Sequence, residues 1–70
     1  MTQNVRNKVQ TIRVRHKITQ EELASAIGVT RQTIIAIEKG NYIPSVLLAL
    51  KLARHFHTTV DSLFTIETDL

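Results

Sequence analysis

Residues 18–40 read ITQEELASAIGVTRQTIIAIEKG, and this stretch decides the fold. Thr19 and Glu22 have the spacing of a capping box, in which the hydroxyl accepts from the third helical amide and the carboxylate bonds back to the cap. A helix is therefore predicted to begin at Thr19. It should end at Gly28, because glycine adopts the left-handed conformation that follows a helix at little steric cost. Thr30 comes so soon afterwards that a second short helix must begin across a very tight turn.

The chain before the quoted stretch also has a helical period. Val5, Val9 and Ile12 recur at i, i+4 and i+7, the spacing of one helical face, with cations among the other positions. We therefore predict a first helix over residues 4–16. The composition agrees with packed helices, because the chain has only two glycines and one proline and is 43% hydrophobic but only 4% aromatic.

Two further helices are predicted after the quoted stretch. Gly40 should end the preceding helix, and Ser45 should cap a fourth helix over residues 46–56 that is apolar on more than one face. A short fifth helix is predicted over residues 59–64, which completes one domain covering residues 1–64. Residues 65–70 alternate weakly and are predicted to be either a strand, suited to dimerisation, or a disordered tail.

Charge is distributed unevenly along the 70 residues, whose formal net charge is +3. The cations that precede the first acidic residue are Arg6, Lys8, Arg13, Arg15 and Lys17. After His57 the charged residues are Asp61, Glu67 and Asp69. The chain is therefore predicted to be electrically polarised, with a basic end suited to a polyanion such as DNA, although an ordinary solvated helix face has a similar composition.

Several protein classes lack support in the sequence. There is no cysteine for a disulfide or a thiolate metal site, and the N-terminus has no long apolar run of the kind a signal peptide or a membrane span requires. His16, His55 and His57 are the acid–base candidates, but they have no nucleophile or third metal ligand at a matching spacing. We expect a cytoplasmic protein that is not an enzyme and that uses no metal or cofactor.

A helix, a tight glycine turn and a second helix are the parts of a helix-turn-helix, whose second helix enters the major groove of DNA. Residues 18–40, together with NYIPSVLLALKLARHFHTTVDSLF over residues 41–64, resemble the XRE or Cro/phage-repressor family. The resemblance covers roughly residues 5–64. It implies an all-α, compact, five-helix domain like that of the lambda repressor, which binds operator DNA, usually as a dimer.

The outward side of the helix after Thr30 carries the candidates for base recognition. Ile34, Ile37 and Glu38 share one helical face, which leaves the opposite side to Arg31, Gln32, Ile35 and Ala36. Arginine can donate two hydrogen bonds to guanine, glutamine can bond to adenine, and isoleucine can pack on a thymine methyl group. By the resemblance, these four positions face bases, although the first two could also be plain solvent-exposed residues.

Other polar residues are candidates for contacts to the DNA backbone. Gln20 lies at the start of a helix, where exposed amides favour a phosphate, and the family places a glutamine there for that purpose. The remaining candidates lie at the ends of the third helix and in the loop after it: Thr30, Thr33, Lys39, Asn41 and Tyr42. The two threonines could instead be occupied with capping, and the tyrosine ring could pack on the edge of the core.

Two structural predictions complete the sequence interpretation. Arg13 and Glu38 each lie beside an apolar stripe, so a partly buried ion pair between the first and third helices is expected, as the family has. A dimer interface is expected among the fifth helix, the tail and whichever leucines of the fourth helix remain exposed. Its candidate residues are Leu47, Leu48, Phe64, Ile66 and Leu70.

The function predicted from these features is sequence-specific regulation of transcription. Repression is favoured because a single small domain can block polymerase sterically, and a homodimer bound to double-stranded DNA would read a palindromic operator. The alternative is an antitoxin or adaptor that uses the same fold to bind a protein partner such as a toxin, because a fold does not determine a function.

Overall fold

The computed structural model describes residues 2–69. Within them, five helices and two strands follow one another: β1 (Thr2–Asn7), α1 (Val9–Arg15), α2 (Gln20–Ile27), α3 (Arg31–Glu38), α4 (Val46–His55), α5 (Val60–Leu63) and β2 (Phe64–Asp69). α2 and α3 form the predicted helix-turn-helix. No helix in the described range is both long and apolar enough to cross a membrane.

Side chains cap the helices where the sequence predicted caps. Thr19 Oγ1 accepts from the Glu22 amide at 3.0 Å and Glu22 Oε1 accepts from the Thr19 amide at 2.8 Å, so the capping box is confirmed. Thr30 caps α3 in a similar way. Gly28 after α2 has φ of 77° and Gly40 after α3 has φ of 80°, a region in which a Cβ would be strained. Both glycines therefore end their helices as predicted.

A single apolar cluster joins all five helices. Its fully buried side chains include Leu23 from α2, Ile37 from α3 and Leu52 from α4. The other members are Val9, Ala24, Ile27, Ile34, Leu48, Ala53, Phe56 and Leu63. Full burial of one aliphatic side chain stabilises a fold by about 1.5 to 3 kcal/mol. Because α2 and α3 both contribute to this cluster, the core fixes how α3 is presented to solvent.

The first predicted helix is wrong in its N-terminal part. Residues 2–7 form β1, and α1 begins only at Val9. Asn7 separates β1 from α1. Its Oδ1 accepts from the Val9 amide at 3.0 Å, and its Nδ2 donates to the Ile37 carbonyl at 2.9 Å. The Lys8 amide then donates to the carbonyl of Leu63, the last residue of α5. A local period of apolar residues could not reveal these partners, which are distant in sequence.

The C-terminal segment is a strand, which was one of the two predicted alternatives. β2 pairs antiparallel with β1, so that Val5 lies opposite Ile66 and Asn7 lies opposite Phe64. The all-α prediction is therefore only roughly right, because a two-stranded sheet joins the ends of the described chain to the helices. The fifth helix is also shorter than predicted, since Phe64 already belongs to β2.

The sheet also changes the expected separation of charge. Arg6 of the basic N-terminal segment lies 3.0 Å from Glu67 of the acidic C-terminal segment, Nε to Oε2. Opposite charges that are far apart in sequence therefore meet across the two strands. Arg6 is therefore paired with an anion, so the prediction of a basic N-terminal end set apart from an acidic C-terminal end does not hold for this residue.

Candidate nucleic-acid interface

The two faces of α3 have opposite characters. Ile34 and Ile37 are completely buried in the core, while Arg31 and Gln32 on the first turn are exposed. Ile35 and Ala36, the other two residues predicted to face bases, are half-buried. The packing of α3 therefore leaves an arginine and a glutamine at the N-terminal end of the outward face, the end that a recognition helix presents to base edges.

The side chains of Arg31 and Gln32 have no hydrogen-bond or ion-pair partner within residues 2–69. The five donors of the guanidinium and both groups of the amide thus remain available to a ligand. A bidentate arginine suits guanine O6 and N7, and a bidentate glutamine suits adenine N6 and N7. The geometry is suited to hydrogen bonding with two neighbouring base edges.

The start of α2 differs, because it is connected to α1 and α3 by a polar network. Arg13 Nε lies 2.7 Å from Glu38 Oε2, and their side chains are only 12% and 3% exposed. Glu38 Oε1 accepts a second bond from Arg13 and a third, at 3.0 Å, from Gln20 Nε2. Arg13 also donates to the Ile18 carbonyl. The structure therefore brings the predicted ion pair together and adds a glutamine that sequence reasoning had not connected to it.

This network changes the role that Gln20 can have. Its side chain is half-buried, and its amide nitrogen is directed at Glu38 rather than at solvent. One of the two amide hydrogens is therefore committed to Glu38, and a phosphate near Gln20 could bond only to the other. The first two backbone amides of α2, those of Gln20 and Glu21, have no partner inside the helix, whereas the Glu22 amide already donates to Thr19 Oγ1.

An open groove runs along the N-terminal ends of α2 and α3. Arg13, Lys17, Gln20 and Arg31 are among the residues that line it. Lys17 was not among the predicted contacts, because it lies in a turn where helical periodicity carries no information. The only sequence signal for it was its place in the cationic run from Arg6 to Lys17. In the structure its backbone is left-handed, with φ of 59°, and its side chain lines this groove together with Arg31 and the acidic Glu21. Since Arg13 is paired with Glu38, Lys17 and Arg31 are the lining cations suited to a phosphate.

The remaining predicted backbone contacts fall into two groups. Thr30 and Thr33 are already engaged, since Thr30 Oγ1 accepts from the Thr33 amide and their hydroxyl oxygens lie 3.2 Å apart. Lys39, Asn41 and Tyr42 follow α3 and are all exposed, with Tyr42 at 44%. The second group is therefore free to donate to phosphates at the C-terminal end of α3.

The residues predicted for a dimer interface differ in their exposure. Leu48 belongs to the core and is 7% exposed, whereas Leu47 beside it is 64% exposed, so Leu47 is the leucine of α4 that meets the condition of exposure. Ile66 is 72% exposed on β2, and Phe64 packs against the core. Leu70 lies outside the described residues.

Two of the three histidines have an aromatic neighbour. His16 and His55 lie with their ring centroids 5.1 and 5.2 Å from that of Phe56. Between residues 2 and 69 there is no group of three histidine, aspartate or glutamate side chains arranged to hold a metal ion. Phe56 is buried, so these contacts extend the core toward the surface.

Comparison with known proteins places this geometry in a family. Residues 9–63 match the family model HTH_3, described as helix-turn-helix. This range runs from the start of α1 to the end of α5 and leaves out both strands. The matched segment is therefore the helical unit that presents α3.

Relatives from distant organisms share most of the chain. An uncharacterized HTH-type transcriptional regulator of Methanocaldococcus jannaschii is 49% identical over 65 residues, which cover 93% of this chain and 98% of the relative. A second uncharacterized HTH-type transcriptional regulator, YgzD of Bacillus subtilis, is 46% identical with the same coverage. The cryptic phage CTXphi transcriptional repressor RstR of Vibrio cholerae is 35% identical over 57 residues, which cover 81% of this chain and 51% of RstR.

Proposed function

The chain belongs to the XRE-type helix-turn-helix family of transcriptional regulators, and we propose that it represses transcription by binding one palindromic operator as a homodimer. The observation that carries this proposal concerns the side chains of Arg31 and Gln32 on the first turn of α3, which are exposed and have no partner among the described side chains. Arg31 and Gln32 are the residues assigned to base recognition, with Ile35 and Ala36 beside them as the apolar part of the same face.

Contacts to the DNA backbone are assigned to two places that flank the recognition face. Lys17 and the amides at the start of α2 bind one phosphate group, while Lys39, Asn41 and Tyr42 bind others beyond the C-terminal end of α3. These contacts position the helix and carry no sequence information themselves. Gln20 does not contact this phosphate in the proposal. Its bond to Glu38 holds the start of α2 in place, which keeps the amides of α2 oriented.

Two copies are needed because a single α3 offers few base contacts. Two helices related by a two-fold axis, about 34 Å apart, read the two halves of a palindrome on one face of the duplex. Repression is the regulatory outcome that such a bound dimer produces by occupying the site of another protein. The similarity to RstR, which is named a transcriptional repressor, supports this direction.

Selection of bound duplexes from a random pool tests the proposal. The wild-type protein is expected to enrich an inverted repeat whose half-sites are about one helical turn apart. An Arg31→Ala, Gln32→Ala double variant should lose that enrichment while still binding DNA weakly. Arg6→Ala is a matched control that removes an exposed cation paired with Glu67 in the terminal sheet, and it should select the same sequence. Wild-type protein that enriches no sequence would contradict base-specific recognition.

A further inference from the structure

The side chain of Asn7 connects the terminal sheet to α3. Asn7 is the last residue of β1 and lies opposite Phe64 of β2. Its Oδ1 accepts from the Val9 amide at 3.0 Å, and its Nδ2 donates to the Ile37 carbonyl at 2.9 Å. The first bond closes a local turn, whereas the second joins residues that are 30 positions apart. One half-buried side chain therefore holds both the start of α1 and the C-terminal end of α3.

The backbone that carries Asn7 is itself fixed by distant segments. Asn7 belongs to the ladder between β1 and β2, and the amide of the next residue, Lys8, donates to the Leu63 carbonyl at 3.0 Å. The sheet and the end of α5 thus hold the position from which the Asn7 amide reaches α3. The family model matches residues 9–63, so Asn7 lies outside the segment that it covers.

The C-terminal end of α3 has two polar anchors to other elements. The Ile37 carbonyl bonds to Asn7 of β1, and the Glu38 carboxylate bonds to Arg13 of α1. Because one anchor is on the backbone, the other is on a side chain and they reach different segments, together they restrain the position of the helix end and its rotation. The Ile37 carbonyl also accepts from the Gly40 amide at 3.0 Å, so it has a partner without Asn7. The bond to Asn7 is therefore an additional restraint on α3.

A small movement of this end would be felt at the first turn of α3. The helix has eight residues, and Arg31 and Gln32 lie about 8 to 9 Å from Ile37 along its axis. A rotation of about 10° moves an atom that lies about 6 Å from the axis by about 1 Å. Hydrogen bonds to a base edge require donor–acceptor distances of about 2.7 to 3.2 Å, so a displacement of that size weakens a bidentate contact.

We propose that Asn7 is a positioning residue for base recognition. Its bond to Ile37 holds α3 in the orientation from which Arg31 and Gln32 reach their bases, and it acts through the helix without a contact of its own to DNA. This inference rests on the proposed function and adds to it a residue outside the helix-turn-helix. The terminal sheet thereby takes part in recognition, because it holds the backbone of Asn7.

Two substitutions of Asn7 separate its two bonds. Asn7→Asp keeps an oxygen that can accept from the Val9 amide, since aspartate makes the same local turn as asparagine, but an ionised carboxylate has no hydrogen to donate to Ile37. Asn7→Ser makes that turn more weakly, replaces the amide with one short hydroxyl and adds no charge. Thr59→Ala is the matched control, because it removes a bond of 3.2 Å that caps α5 and does not involve α3.

The measurement is binding to the selected operator and to a scrambled duplex of equal length, at fixed salt. The temperature is one at which circular dichroism shows every variant folded. Both Asn7 variants should lower the ratio of operator affinity to scrambled-duplex affinity by about 10-fold, because base contacts are weakened while phosphate contacts persist. Thr59→Ala should keep the wild-type ratio. A role of Asn7 in folding alone would lower both affinities in parallel and leave the ratio unchanged.

A double-mutant cycle tests whether Asn7 acts through the first turn of α3. In the Arg31→Ala, Gln32→Ala double variant the contacts that Asn7 positions are already absent. Adding Asn7→Ser to it should therefore change the affinity for the operator by less than about two-fold, because residues that act through one another are not additive. A further loss of about 10-fold would mean that Asn7 acts independently of these two side chains.

The proposal would be overturned by an unchanged affinity ratio in the Asn7 variants, by an equal fall in Thr59→Ala, or by full additivity in the cycle. If Asn7→Asp does not fold, the ratio measured with Asn7→Ser decides. Wild-type protein that selects no operator would reject the proposed function and this inference with it. A selected operator with an unchanged ratio in the variants would reject only the role of Asn7.

Discussion

The first turns of α2 and α3 have similar sequences, but their side chains lie in different environments. Each follows a threonine N-cap and carries a glutamine near its start, Gln20 in α2 and Gln32 in α3. Gln20 is half-buried and donates to Glu38, whereas Gln32 is exposed and has no side-chain partner among the described residues. The same residue type is thus held inside the protein in one helix and left available in the other.

This difference distinguishes residues that hold α3 in place from residues that are proposed to contact bases. The Arg13, Glu38 and Gln20 network joins α1, α2 and α3, so together with the core it holds α3 in its orientation. The exposed turn of α3 determines which bases are contacted. Substitutions in the first region should therefore change stability, and substitutions in the second should change DNA preference.

The largest expected effect comes from removing the guanidinium of Arg13. Arg13→Ala leaves the Glu38 carboxylate, which is 3% exposed, with only Gln20 as a side-chain partner. Loss of one member of a buried ion pair lowers the free energy of unfolding by about 3 to 5 kcal/mol. Urea denaturation measures the change. Arg6→Ala is the matched control, because the side chains of that pair are 70% and 52% exposed and exposed pairs contribute only about 0 to 1 kcal/mol.

If Arg13→Ala and Arg6→Ala lowered the free energy of unfolding equally, the network would not stabilise the packing of α1, α2 and α3 as we infer.

A Glu38→Gln variant tests whether the charge of Glu38 is needed. It keeps the size of the side chain but removes its negative charge, so it should be less stable than the wild type. A variant as stable as the wild type would mean that Arg13 does not need an ionised partner.

The next effect in size concerns Arg31 on the recognition turn. Arg31→Ala should weaken binding to the best operator by about 1 to 3 kcal/mol and weaken binding much less to a site changed at the contacted base pair. Its free energy of unfolding should change by less than about 0.5 kcal/mol, because the residue is exposed. Binding titrations across single-base operator variants at fixed salt measure the pattern. A uniform loss on every variant would assign Arg31 to a phosphate instead.

The two N-caps offer a smaller and more direct comparison of the helices. Thr19→Ala and Thr30→Ala should each lower the free energy of unfolding by about 0.5 to 2 kcal/mol. Thr19→Ala should have the larger effect, because its capping box has reciprocal bonds at 3.0 and 2.8 Å while the Thr30 bond to the Thr33 amide is 3.3 Å. Thermal denaturation of the two variants under identical conditions ranks their stabilities. A larger loss of stability in Thr30→Ala would contradict the stronger cap that we assign to Thr19.

The smallest effect is expected at Lys39, after the end of α3. Lys39→Ala should weaken binding to all sequences alike and reduce the slope of log K against log salt by about 0.9, which is the effect of one lost phosphate contact. Titrations at several salt concentrations measure this slope. A changed base preference with an unchanged slope would move Lys39 into the group of base-contacting residues.

Local sequence signals were sufficient for the helix-turn-helix itself. The capping box at Thr19, the cap at Thr30 and the left-handed positions at Gly28 and Gly40 depend on residues within a few positions of one another. The same signals failed for residues 2–7, where Val5 fits a helical period but pairs with Ile66 of the other strand. A hydrophobic period depends only on residues that are close in sequence, whereas the strand partner of Val5 lies near the opposite end of the chain.

The sequence by itself determined the class of the protein, the bounds of α2 and α3 and the residues on the exposed turn of α3. Tertiary structure alone decided that Gln20 faces Glu38, that Leu48 is buried while Leu47 is exposed, and that residues 2–7 and 64–69 pair as strands. The physical reason is the range of the interactions. Caps and left-handed glycines act within one turn of a helix, whereas burial and strand pairing depend on which distant segments the packed core brings together.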